Sequence, residues 1–209
     1  MVGPVAKPEV SMRFLASILF VWIGFFAHVA QAQPIDLDTL SEYLTGLGSV
    51  QTTFTQINGD GSVSTGVFQL RRPGRMRFEY DPPDEALIVA GAGTIAIVDK
   101  ALGTSNQYAL RRTPLKLLLA RRVDLTDTDA VVDHYESDGL TVVTAQDPKM
   151  PEIGSMDLVF ATAPLQLKQW RIRDETGGET LVLLDAFDTD VDLPLRMFNI
   201  RDIVSQYQD

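Results

Sequence analysis

The stretch from Gly66 to Pro83, GVFQLRRPGRMRFEYDPP, constrains this chain more than any other. Phe68 and Leu70 alternate with Val67, Gln69 and Arg71. Beyond Arg72-Pro73-Gly74, Met76, Phe78 and Tyr80 alternate with Arg75, Arg77 and Glu79. Side chains two apart share one face of a strand, so this spacing predicts two strands, each with an apolar side. Proline fixes φ at about −65° and glycine takes a positive φ without steric cost, so the joint is a tight turn. Pro82-Pro83 stops the second strand, because neither residue donates to a ladder. The product is a hairpin with one apolar, aromatic face and one cationic, wet face. A sheet built on it needs a cover on one side.

The flanking sequence extends the same chemistry. Val50 to Ile57 alternates, and Asn58-Gly59-Asp60-Gly61 reads as a turn into the hairpin. Glu85–Ala90 and Thr94–Val98 pair across Gly91-Ala92-Gly93, and Thr104–Leu110 is a further strand. Strands resume at Ala130–Ser137, Leu140–Ala145, Ser155–Thr162, Leu165–Asp174 and Thr180–Asp188, with a last short one near Leu195–Ile200. The phase changes between Leu165-Leu167 and Trp170-Ile172, which predicts a bulge. Short turns between consecutive strands mean an antiparallel meander of about eleven strands.

Two helical pieces interrupt the strands. Leu37, Leu40, Leu44 and Leu47 form one stripe behind a capping Asp36 or Asp38, ended by Gly46 and Gly48, and the plain reading is a core face packed on the sheet. Thr113-Pro114 opens a second helix, threonine as cap and proline first. Leu115, Leu117, Leu118 and Leu119 cannot share one face, so this helix is buried on most sides or covers an apolar surface that is sometimes open.

Residues 1–32 read as a secretory signal peptide. Lys7 and Arg13 precede an apolar run from Phe14 to Ala27, and Ala30-Gln31-Ala32 is a small-x-small cleavage site. The run is short of the roughly 20 apolar residues of a spanning helix; a retained anchor is the other reading, and Met12 is an alternative start. Residues 33–209 form one domain. The chain has no cysteine, so no disulfide framework and no lipidated N-terminus is expected. A net charge of −10 argues against nucleic acid or an anionic membrane as partner.

The inventory for catalysis is thin. Past the cleavage site His134 is the one histidine, read as a strand residue on the polar face. No serine sits in a nucleophile-elbow context. Asp124, Asp127 and Asp129, and Asp185, Asp188, Asp190 and Asp192, lack the loop pattern of a calcium site and read as solvated turns. Of the basic doublets, Arg71-Arg72, Arg111-Arg112 and Arg121-Arg122 read as wet strand faces or helix ends. Arg72 is the exception: beside a proline at a strand end, its five donors could reach several carbonyls at once. No enzyme activity, cofactor or metal is expected.

Phe54-Thr55-Gln56, the Gly66–Pro83 hairpin, Leu87-Ile88-Val89 with its glycine turn, and Thr113-Pro114 with its leucines occur here in one order. In that order the chain resembles the periplasmic outer-membrane lipoprotein carrier proteins, the LolA-type chaperones, from about Ile35 to Ile200. The resemblance implies an α+β fold, an incomplete antiparallel barrel of about eleven strands with a helical lid. It implies a periplasmic chaperone that holds the acyl chains of lipoproteins in a hydrophobic cavity. The implied partners are a lipoprotein-releasing ABC transporter of the inner membrane and an outer-membrane acceptor, with a monomeric carrier between them. Residue by residue, the lid latch falls on Arg72. The cavity lining falls on Leu44, Phe54, Phe68, Leu70, Met76, Phe78, Leu115 and Leu118, with methionine at a position often bulkier in the family. The tail from Arg201 to Asp209 departs from the family pattern. Two alternatives stay open: a carrier of another lipid or hydrophobic ligand, and a non-enzymatic envelope protein-interaction domain, whose mark would be an interior filled by its own side chains.

Overall fold

The computed structural model describes Gly3, residues 33–127 and residues 129–208. The signal peptide expected over residues 1–32, its expected cleavage after Ala32 and the choice between Met1 and Met12 fall, Gly3 apart, outside the described residues. Helix α1 (Leu37–Gly46) leads into six strands: β1 (Ser49–Asn58), β2 (Val63–Arg71), β3 (Arg75–Tyr80), β4 (Ala86–Gly91), β5 (Thr94–Asp99) and β6 (Thr104–Ala109). A one-turn 3-10 helix (Leu110–Arg112), helix α2 (Leu115–Leu119) and a loop connect these to β7 (Val131–Ser137). Then follow β8 (Leu140–Gln146), β9 (Ser155–Thr162), β10 (Leu165–Arg173), β11 (Glu179–Leu184), a 3-10 turn (Leu195–Phe198) and α3 (Ile200–Ser205).

All eleven strands form one antiparallel sheet in the order β6-β5-β4-β3-β2-β1-β11-β10-β9-β8-β7. Two meanders are therefore stitched at the centre by β1 and β11, and β6 and β7 are the edges. In a flat sheet β3 and β10, four strand spacings apart, would stand about 19 Å from each other. Yet the rings of Phe78 and Trp170 lie 6.0 Å apart. The sheet is curled into the expected incomplete barrel, and its concave face carries the larger core.

The topology dictates what covers that face. Residues 110–130 must carry the chain from edge β6 to edge β7, so the segment holding α2 crosses the mouth of the curl. Asp36 caps α1 through its carboxylate, which accepts from the Asp38 and Thr39 N–H groups, and the helix lays Leu40 and Leu44 into the concave core. The hairpin turn has Gly74 at φ +70°, as its three-residue loop requires. The bulge falls between Leu167 and Gln169 of β10.

Four local expectations are corrected. Leu195–Ile200 is not a strand but a 3-10 turn running into α3, because beyond β11 the chain has left a sheet whose central seam is already filled. Thr113 does not cap α2: its hydroxyl donates to the Leu110 carbonyl at 3.0 Å, and Pro114 holds the cap position without a side-chain bond. The strand expected to run to Asp188 stops at Leu184, and Asp188 adds a single bridge to Gln51. The second face of the hairpin is half-covered rather than fully wet, with Val67, Gln69, Arg71, Arg75, Arg77 and Glu79 all partly buried. The segment after β11 crosses the convex side, and Leu193, Phe198, Ile203 and Val204 pack on Leu87, Val89, Ala96 and Val98 as a second apolar cluster. Arg71 donates to the Leu193 carbonyl and Arg77 to that of Met197, both from beneath this strap. Gly91 lets it approach: a Cβ there would stand 2.4 Å from the Phe198 carbonyl oxygen.

Candidate functional site

The site is the covered hollow of the curl. Phe68 stands opposite Phe78, Leu70 opposite Met76, and Phe54 opposite Gly66, all toward the concave side. Leu44 reaches the same cluster from α1 and Leu118 from α2, while Leu115 lies half-buried at its margin. The rings meet mostly edge to face: Phe68 and Phe78 at 4.7 Å, Phe54 and Phe78 at 4.9 Å, Phe54 and Tyr80 at 5.1 Å. Leu44, Phe54, Phe68, Met76 and Leu118 are at most 2% exposed. The hollow is closed on its own side chains, so an occupant enters only by displacing them or by lifting the cover.

The sequence reading missed the other wall. Met156, Leu158 and Phe160 of β9, Trp170 of β10, and Val182 and Leu184 of β11 complete the cluster. Trp170 is 1% exposed and its indole touches Phe68 at 5.3 Å. The alternation of Met156, Leu158 and Phe160 was the available signal. For Trp170, the bulge two residues earlier hides the phase.

The cover is fastened from the hairpin turn. The Arg72 guanidinium donates through Nη1 to the Ala120 carbonyl at 2.7 Å and through Nη2 to the Leu118 carbonyl at 2.6 Å. One residue beyond Pro73, the Gly74 N–H donates to the Leu119 carbonyl at 3.1 Å. Three consecutive carbonyls at the end of α2 are thus taken by one turn. Those are the acceptors a helix end leaves unpaired, and a five-residue helix is too short to hold itself. No carboxylate pairs with Arg72 among the described residues, and its Nε is buried without a partner. Burial alone pushes its pKa down to about 10, so the group stays charged at neutral pH at a desolvation cost. That cost offsets part of the grip.

A second set of contacts ties α1 to the stretch after α2. The Leu125 N–H donates to Ser41 Oγ at 2.8 Å and the Val123 N–H to Thr45 Oγ1 at 3.1 Å. Ser41 and Thr45 sit one turn apart on α1, facing the same strip of backbone. On the far side of α1 the Tyr43 hydroxyl accepts from the Leu167 N–H at the bulge, at 3.1 Å; burial raises its pKa. His134 is not on the polar face. It stands opposite the buried Val143, with Nε2 2.9 Å from the Ile35 carbonyl oxygen, tying the chain's approach to α1 to β7.

The acidic clusters form turns. Asp124 accepts from the backbone N–H and hydroxyl of Thr126, which hold its carboxyl below the usual range. Asp127 accepts from the Asp129 N–H. Among the described residues no group of three or more His, Asp or Glu is placed to hold a metal ion.

Comparison with known proteins places this geometry. The family model described as outer membrane lipoprotein carrier protein LolA matches residues 45–201. An outer-membrane lipoprotein carrier protein of Cupriavidus pinatubonensis is 27% identical over 198 residues, covering 89% of this chain and 92% of that one. One of Methylococcus capsulatus is 26% identical, covering 90% and 92%. A solved LolA superfamily protein of Nitrosomonas europaea superposes over 80% of this chain and 99% of its own, at a TM-score of 0.41 and 10% identity. That superposition is too loose to add to the sequence match.

Proposed function

Because the chain belongs to the LolA family of outer membrane lipoprotein carrier proteins, we propose that it carries acylated lipoproteins across the periplasm. It holds their acyl chains in the concave hollow lined by Leu44, Phe54, Phe68, Leu70, Met76, Phe78, Leu115 and Leu118. It receives cargo from a releasing ABC transporter in the inner membrane and passes it to an outer-membrane acceptor, as a monomer and without chemistry on the cargo. The observation that supports this most is the join of an aromatic hollow to a short cover held mainly through backbone carbonyls. Burying one CH₂ is worth about 0.8 kcal/mol, so a chain of roughly fifteen carbons offers on the order of 10 kcal/mol gross. Affinity is easily reached and release is the harder task. Arg72 acts as the latch: two charged hydrogen bonds of about 1.5–3 kcal/mol each, offset by desolvation, leave both lid states within reach.

The test is whether lipoproteins co-purify with the protein and do so through their acyl groups. Capture that survives removal of the acyl chains would count against the hollow as the binding site. Arg72→Leu is expected to weaken the closed state, favour the loaded one and slow release to an acceptor; equal release kinetics in wild type and variant would remove the latch. The filled interior favours a second reading, an envelope domain that binds a partner protein on its surface. Capture of a protein partner indifferent to acylation would establish that reading instead.

A further inference from the structure

Arg72 holds α2 only to the first meander, β1–β6. The other side of the helix faces β8, and there Lys116 forms an ion pair with Asp147, the residue directly after that strand. Asp147 is 5% exposed, and its Oδ1 also accepts from the Lys149 N–H at 2.8 Å. Lys116 is more open, with about a quarter of its side chain exposed. The pair stands at the wall of a cleft of about 420 Å³ between α2 and β7–β8, lined also by Leu117, Val131, Ala145 and Pro148.

We infer that Lys116 and Asp147 are a second pair of positioning residues for the lid, anchoring α2 to the second meander so that the helix braces both wings of the open sheet. The two halves of this pair are unequal. Burying an ion pair costs desolvation that its attraction roughly returns, so the intact pair adds little net strength and instead fixes where the helix sits. Removing one partner is another matter, because the remaining charge stays buried for as long as the lid is shut. Asp147 is nearly enclosed with α2 in place, whereas Lys116 keeps about a quarter of its side chain in solvent. Lys116→Met therefore drives the lid open, and Asp147→Asn barely disturbs it. Since lid closure is a property of the empty protein, the inference is tested without cargo, and a failure of the lipoprotein reading would leave its outcome untouched.

The reporter is the Gly74 amide, whose hydrogen-bond acceptor is the lid carbonyl of Leu119. The control is the Trp170 amide, in β10 between β9 and β11 at the centre of the curl. In amide exchange of the cargo-free protein, Lys116→Met is expected to speed exchange at Gly74 by at least about tenfold and to leave Trp170 unchanged. Asp147→Asn should change Gly74 by less than about threefold, and the double variant should return it to that level. Lys116→Arg, which keeps the charge, should stay at wild-type protection. Unchanged exchange at Gly74 in Lys116→Met would overturn the inference, as would a double variant as open as the single one. If Lys116→Met does not fold, the double variant decides: loss of Gly74 protection there, with Trp170 protected, contradicts the inference, and retained protection supports it.

Discussion

The sheet carries an apolar cluster on each face, and each cluster has its own cover, yet the two are fastened differently. On the convex side small aliphatic residues, Leu87, Val89, Ala96 and Val98, interlock with Leu193, Phe198, Ile203 and Val204. The strap's backbone presses on Gly91 at a distance that leaves no room for a methyl group. On the concave side large rings and leucines fill the hollow, and the cover, which adds Leu118, Leu119, Val123 and Leu125 to them, is also tied by polar contacts from Arg72, Gly74, Ser41, Thr45 and Lys116. Interlocked aliphatic packing has one arrangement and resists change. A few hydrogen bonds at the ends of a short segment break together and re-form together. The same arginine-rich hairpin serves both: Arg71 and Arg77 face the strap while Arg72 faces the lid. The convex cover thus belongs to the packed scaffold, and the concave cover is the element that the proposed function requires to move.

The sharpest way to break this contrast is Phe198→Ala, which should cost about 3–5 kcal/mol in urea unfolding, as for a buried aromatic. Gly91→Val should follow at roughly 2–4 kcal/mol, because the strap must lift to admit the side chain. Leu118→Ala, equally buried at 1% exposed, should cost only about 1–2 kcal/mol. That is below the usual range for a core leucine, as the proposed opening of this cover requires, since a segment that opens contributes less to the closed fold. A loss from Leu118→Ala as large as that from Phe198→Ala would erase the distinction between the two covers. The smallest effect is expected from Arg72→Leu, within about 1 kcal/mol of wild type in thermal unfolding, because an apolar group replaces a buried charge that carries its own desolvation cost.

The concave half of this picture was legible in the sequence. Alternation in the hairpin named Phe68, Leu70, Met76 and Phe78, and the chemistry of an arginine beside a turn proline singled out Arg72 as a donor to several carbonyls. The convex half was not read, although its signal was present. Residues 86–91 are ALIVAG, apolar at every position, and such a strand is buried on both faces rather than one. Ile200, Ile203 and Val204 at helical spacing likewise mark α3, directly after the stretch expected as a strand. The Lys116–Asp147 pair left no trace in the sequence, because two residues 31 positions apart meet only through the path of the loop between the wings. His134 was placed on the wrong face because the register of β7 shifts between Val131 and Asp133, and an alternation counted through a bulge comes out inverted.

The seam between β1 and β11 has a consequence for how the molecule is made. The first and last strands to leave the ribosome are the ones that must lie side by side, so neither wing has its inner neighbour until nearly the whole polypeptide is present. Contacts so distant along the chain form slowly, and a truncation ahead of Glu179 leaves β1 as a bare border open to foreign strands. The molecule is in effect zipped shut by its final third.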